Sequence, residues 1–168
     1  MSKKVKKIIL ISVSAVLAVA LITTGVIFTA KYFKNYVGDT VISFEEKTAL
    51  AGDTVKIPFS VIKNHGIWGG QIKINYDSQA MAFVSCANGD VFDECEINSE
   101  DGSVNIVVNQ TGLDDSKVNG VIATLNFKIK DSAKGGNYKI EFDKMTDFCN
   151  KDGEMIEPIL KNGEIKVK

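Results

Sequence analysis

The chain has 168 residues with 20 lysines, no arginine, 21 acidic residues and one histidine, for a formal charge of −1. The balance is uneven, because every acid follows residue 30 and residues 35–168 hold 21 acids against 14 lysines, a charge of −7. An acidic domain without the planar guanidinium fork repels phosphate polymers and reads base edges poorly, which excludes nucleic acid as a partner.

Residues 1–7 form a basic tail carrying Lys3, Lys4, Lys6 and Lys7, expected in the cytoplasm, and residues 8–30 are 23 consecutive uncharged positions. At about 1.5 Å per residue a helix of that length covers the roughly 30 Å hydrocarbon core of a bilayer. The lysines before it outnumber Lys31 and Lys34 after it. That asymmetry holds the N-terminus in the cytoplasm and places the remainder outside a single-pass cell membrane protein. A cleaved signal peptide is the rival reading, with Ala18-Val19-Ala20 as its small-x-small site. Its apolar core runs to only about 7 to 15 residues, shorter than this run. Residues 31–38 read as a juxtamembrane spacer with interfacial Tyr32, Phe33 and Tyr36.

Residues 39–168 have the size of one domain. Val55, Ile57, Phe59 and Val61 alternate with Lys56 and Ser60, the period of a strand with one buried face. The alternation recurs at Ile72, Ile74 and Tyr76, at Val104, Ile106 and Val108, at Ala123, Leu125, Phe127 and Ile129, at Tyr138, Ile140 and Phe142, and at Ile165 and Val167. Turn signals separate these runs, among them Gly52-Asp53, Asn88-Gly89-Asp90, Asp101-Gly102, Asn119-Gly120 and Asn162-Gly163. Short strands at this spacing predict an all-β antiparallel sandwich, with no internal repeat.

Catalytic constellations are thin. His65 stands alone in a loop between Asn64 and Gly66, with no nucleophile and orienting acid suggested nearby. The acids fall mainly in turns and on strand faces that meet water, so the chain reads as no enzyme. An EF-hand register on Gly153 or Gly102 puts Phe148 or Ile97 at the first ligand position and fails. A looser grouping of Asp147, Asn150 and Asp152 is the weaker alternative, and no cofactor or metal is expected. Cys86, Cys95 and Cys149 are an odd number without metal-ligand spacing. A bridge from Cys86 to Cys95, or from either to Cys149, leaves one thiol over, and small buried hydrophobes are an equal reading. Trp68 is the sole tryptophan and the one candidate for glycan contact.

Ala51-Gly52-Asp53-Thr54-Val55-Lys56-Ile57-Pro58 opens a strand, and Gly66-Ile67-Trp68-Gly69-Gly70 leads into another ending Tyr76-Asp77. Gly120 to Lys128 then precedes Asp147 to Ile156 and a closing Asn162-Gly163-Glu164-Ile165-Lys166-Val167. In this order and spacing the chain resembles a cohesin domain over residues 40–168. The resemblance implies a nine-stranded jelly-roll β-sandwich that binds a dockerin-bearing extracellular protein, commonly a polysaccharide-degrading enzyme, through one flat sheet face. It implies that the face is built from the strands matching Gly69 to Tyr76, Cys95 to Asn98, Ser103 to Gln110 and Val121 to Lys130.

Period-two alternation names the outward residues on these strands as Gln71, Lys73 and Asn75, then Asn105, Val107 and Asn109, then Thr124, Asn126 and Lys128. One such module holds one partner, so the expected role is an anchor or adaptor. The alternatives are a sandwich that binds polysaccharide directly through Trp68, or a structural ectodomain that joins a surface assembly by its sheet edge.

Overall fold

The computed structural model describes residues 40–112 and 118–168. The tail, the expected membrane helix and the spacer therefore lie outside the described residues.

Each apolar alternation becomes a strand with its apolar side turned inward. The strands are β1 (Val41–Phe44), β2 (Lys47–Ala49), β3 (Thr54–Ile62), β4 (Gly69–Tyr76), β5 (Met81–Asn88), β6 (Glu94–Glu100) and β7 (Ser103–Asn109). They continue with β8 (Gly120–Ile129), β9 (Gly136–Phe142), β10 (Asp147–Cys149), β11 (Met155–Ile156), β12 (Ile159–Lys161) and β13 (Gly163–Val167). One sheet runs β12-β1-β3-β8-β5; the other runs β6-β7-β4, then β9 and β10 side by side along β4, then β13 and β2 beyond β9.

The first and last strands each cross from one sheet to the other. β1 pairs in parallel with β12 in the first sheet, and β2 pairs in parallel with β13 in the second. Counting β1 with β2 and β12 with β13 as single strands gives the nine of a jelly roll, with β10 and β11 added as a short hairpin. β1 peels away opposite Pro58, whose carbonyl accepts the Glu45 amide at 3.1 Å. The last strand crosses at Gly163, where a Cβ would stand 2.5 Å from Phe44 Cβ, so a larger residue would force the two crossings apart.

The core lies between the sheets. Ile57, Phe59, Leu125 and Phe127 from the first sheet meet Ile72, Ile74, Ile106 and Ile140 from the second, all at 0% exposure. Two aromatic groups cross the interface: Phe44, Phe59 and Phe142, and Tyr76, Phe83 and Phe127. Val91 and Phe92, in the connection from β5 to β6, are buried as well, and Asp93 Oδ2 ties that connection to Thr111 by two hydrogen bonds of 2.8 and 2.9 Å. Asn64 organises the β3–β4 loop: its Oδ1 accepts from the amides of Gly66 and Ile67, and its Nδ2 donates to the Val118 carbonyl. His65 is exposed in that loop.

Candidate functional site

Four strand rows lie flat beside one another on the outer side of the second sheet. In register, Glu96 of β6 stands opposite Val107 of β7, which stands opposite Gln71 of β4, which stands opposite Asp147 of β10. The row above is Glu94, Asn109, Gly69 and Cys149. Below lie Asn98, Asn105 and Lys73, and then Glu100, Ser103, Asn75 and Glu141 of β9. Alternation sends Ile72, Ile74, Val104, Ile106 and Val108 inward from the same strands, so the outer array is set by the apolar pattern of the inner one.

The middle of this face is hollow. A shallow depression of about 240 Å³ is lined by Gln71, Lys73, Asn98, Ser103, Asn105 and Met145. Asn105 Oδ1 is enclosed there and accepts no hydrogen bond among the described residues. A buried acceptor left unpaired costs about 1–3 kcal/mol. Ser103 Oγ, by contrast, donates to Glu100 Oε1 at 3.0 Å and is satisfied.

The β9–β10 connection forms one rim. Thr146 Oγ1 lies 3.1 Å from the Lys73 amide and 3.0 Å from its carbonyl, and the Asp143 amide donates to that carbonyl at 2.8 Å. Met145 is left 57% exposed beside the depression. Asp143 Oδ2 accepts from Asn75 Nδ2 at 2.8 Å, which fixes the Asn75 amide in the face. That bond, then one from the Met145 amide, holds the Asp143 carboxyl below the ordinary Asp range. A carboxyl lowered by folding contributes stability above its unfolded pKa and loses it as pH falls through the folded value. The stability gap between wild type and Asp143→Asn is therefore expected at neutral pH and to close in acid below the ordinary Asp range. Urea unfolding midpoints of the two proteins at neutral and strongly acid pH measure it, and a gap that does not change with pH contradicts it.

Gly69 and Gly70 let β7 and β10 close on β4. A Cβ on Gly70 would lie 2.4 Å from the Asp147 carbonyl oxygen and 2.6 Å from a Phe148 ring carbon. Gly70→Ala is expected to cost about 1–3 kcal/mol and to displace Asp147 with β10, weakening partner binding as well as lowering the melting temperature. Binding at wild-type strength would show that β10 lies outside the contact.

Six of the residues named from sequence come together here: Gln71, Lys73, Asn75, Asn105, Val107 and Asn109. The expectation that Thr124, Asn126 and Lys128 share the face is corrected. They do point outward, but β8 belongs to the first sheet, where it lies between β3 and β5, so these side chains stand on the opposite side of the sandwich. There Asn126 Nδ2 donates to Ser85 Oγ at 2.9 Å and Lys128 Nζ reaches the Gly52 carbonyl.

Sequence reasoning passed over the acidic flanks. Glu94, Glu96, Asn98 and Glu100 alternate along β6, a polar period-two signal, and Asp147 and Glu141 stand on the other side of β4. Trp68 is half-buried at the entry to β4, and its Nε1 donates to the Gly112 carbonyl at 3.1 Å. In the looser calcium grouping two of the side-chain oxygens already accept backbone amides. Asn150 Oδ1 accepts from the Asp152 and Glu154 amides within its turn, while Asp147 Oδ1 takes the Gln71 amide.

A family model for the cohesin domain matches residues 40–167. The chain belongs to the cohesin family. Cohesins are non-catalytic dockerin-binding modules, and the two-sheet topology here is theirs. The seventh ScaB type I cohesin from Pseudobacteroides cellulosolvens is 25% identical with a TM-score of 0.69, over 77% of this chain and 92% of that chain. A type I cohesin-dockerin complex from Clostridium thermocellum, Coh-OlpC-Doc435, matches at 27% identity and a TM-score of 0.67, over 79% of this chain and 94% of that one. A non-cellulosomal cohesin from the archaeon Archaeoglobus fulgidus shares the fold at 11% identity and a TM-score of 0.68, over 77% and 91% of the two chains. No curated protein matches the chain.

Proposed function

We propose that this cohesin is a membrane-anchored adaptor that binds a dockerin-bearing extracellular protein, a polysaccharide-degrading enzyme by preference, through the outer face of β6, β7, β4 and β10. The observation that carries the reading is the continuous four-strand array centred on Val107 and Gln71. Glu94, Glu96 and Glu100 on one flank and Asp147 and Glu141 on the other favour a partner that presents basic and hydrogen-bond-donating side chains, with Lys73 left to receive an acceptor.

The uncharged run of residues 8–30 behind four lysines supports attachment of the domain outside the membrane with its N-terminus in the cytoplasm. One such face holds one partner. Residues 39–168 used as bait in the secreted proteins of the producing cell should retain dockerin-bearing enzymes, and free dockerin should displace them. Retention of glycan alone would overturn the reading. The anchor is tested separately, by finding the full chain in washed membranes with its β domain open to protease added to whole cells.

A further inference from the structure

β5 and β6 are the edge strands of opposite sheets on the same side of the sandwich, and the chain passes directly from one to the other through residues 89–93. On the far side the first and last strands cross between the sheets and close that edge. On this side β5 pairs with β8 and β6 pairs with β7, and among the described residues no strand bridges them. The two cysteines of this edge face the opening. Cys86 lies in register with Leu125 and Cys95 with Val108, both of which point into the core at 0% exposure.

Both thiols are half-buried and pack against the same hydrophobic cluster. They are close enough that ionising Cys95 opposes ionising Cys86. Cys149 is different: it lies in register with Gly69 and Met155, and alternates with the inward Phe148, so it stands on the outer face of its sheet.

We propose that Cys86 and Cys95 form an intramolecular disulfide that staples the open edge of the sandwich, leaving Cys149 as the free thiol. The oxidant is a small-molecule disulfide such as oxidised glutathione. One cysteine sulfur attacks it and releases a first thiol; the second cysteine sulfur then displaces the mixed disulfide and releases another, so the two cysteine protons end on two molecules of reduced donor. Burial pushes the Cys86 thiol up to about 12 and raises that of Cys95, so few thiolates exist in the folded domain and exchange there is slow. The bond forms while β6 is still undocked during folding and is sheltered afterwards. It is a permanent staple rather than a reversible switch, suited to a domain outside the reducing cytosol. Its consequence falls on the partner face, because β6 carries Glu94, Glu96, Asn98 and Glu100 and, among the described strands, pairs with β7 only.

The test unfolds the full chain in urea and detergent, refolds it with reduced and oxidised glutathione, alkylates it and digests it without reduction. The expected product is a cross-linked pair of peptides, two hydrogens lighter than the reduced pair, joining Cys86 to Cys95 with Cys149 alkylated. Closing a loop of about ten residues should lower the unfolding constant by about a hundredfold relative to the reduced protein, and amide exchange in residues 94–100 should slow. Cys149→Ser should keep both effects and Cys86→Ser should abolish them. Alkylation of all three thiols after refolding, a bridge through Cys149, or an unchanged oxidised-to-reduced difference in Cys86→Ser overturns the proposal.

Discussion

Replacing Val107 by glutamate is expected to lower affinity for a cognate dockerin by about a hundredfold or more, a loss of about 2.7 kcal/mol, while the domain stays folded. Val107 stands at the centre of the array between Glu96 and Gln71, with Asp147 one strand further. Docking would remove the new carboxylate from water next to a Glu already in the row, at the apolar centre of the array, where the partner's basic side chains are matched to the flanking acids instead, and a charge buried without a partner is costly. The folded state is affected far less. Val107 points outward, so no core cavity opens; the costs are a poorer strand residue and a like-charge neighbour across the strand pair, together about 1–2 kcal/mol. Thr124→Glu supplies the matched control, because Thr124 points outward from the other sheet, and it should leave affinity within about twofold. Titration calorimetry and thermal melts on the two variants separate the cases. Equal losses in both would mean that added charge acts at long range, and no loss in Val107→Glu would remove this face from the interface.

The same pair of residues marks how far a sequence can be read. Alternation tells inner from outer, and it did so on β3, β4, β7, β8 and β9, where one side of each strand is fully apolar. It carries no information on which sheet a strand joins. Thr124, Asn126 and Lys128 are outward as expected, yet the strand they ride pairs with β3 and β5. Only the pairing partners, separated from β8 by tens of residues, decide that. β5 escaped notice for a local reason: its register shifts between Phe83 and Ser85, which leaves Val84 57% exposed and breaks the period-two pattern. β6 escaped for another. As an edge strand it buries little; its inward Ile97 is 39% exposed, and its outward residues are three glutamates and Asn98. That charge is how a lone edge avoids pairing with other chains, and it hides the strand from a search for apolar alternation. The resemblance to cohesins named this segment as part of the face, which periodicity did not.

Phe127→Ala is expected to destabilise the domain by about 3–5 kcal/mol, a large part of the roughly 5–15 kcal/mol that holds a domain folded. Phe127 is fully buried, lies in register with Val55 on one side and Phe83 on the other, and sets its ring edge-on to Tyr76 of the opposite sheet at a centroid distance of 5.0 Å. It therefore ties β3, β5 and β8 to β4 in one contact group, and truncation leaves a cavity that backbones on both sides are too well paired to close. For a domain of this size the melting temperature should fall by about 15 °C. Phe127→Leu keeps most of the volume and loses the ring contacts, so its cost should be nearer 1–2 kcal/mol. Below their melting transitions both variants should bind a dockerin as wild type does, since the ring faces away from the array. Differential scanning calorimetry with binding measured well below each transition tests the two halves together. A fall of less than about 4 °C for the alanine variant would place the stabilising core elsewhere, in the Phe44, Phe59 and Phe142 group. Loss of binding by a variant still folded would mean that packing beneath Asn75 and Glu141 shapes the face directly.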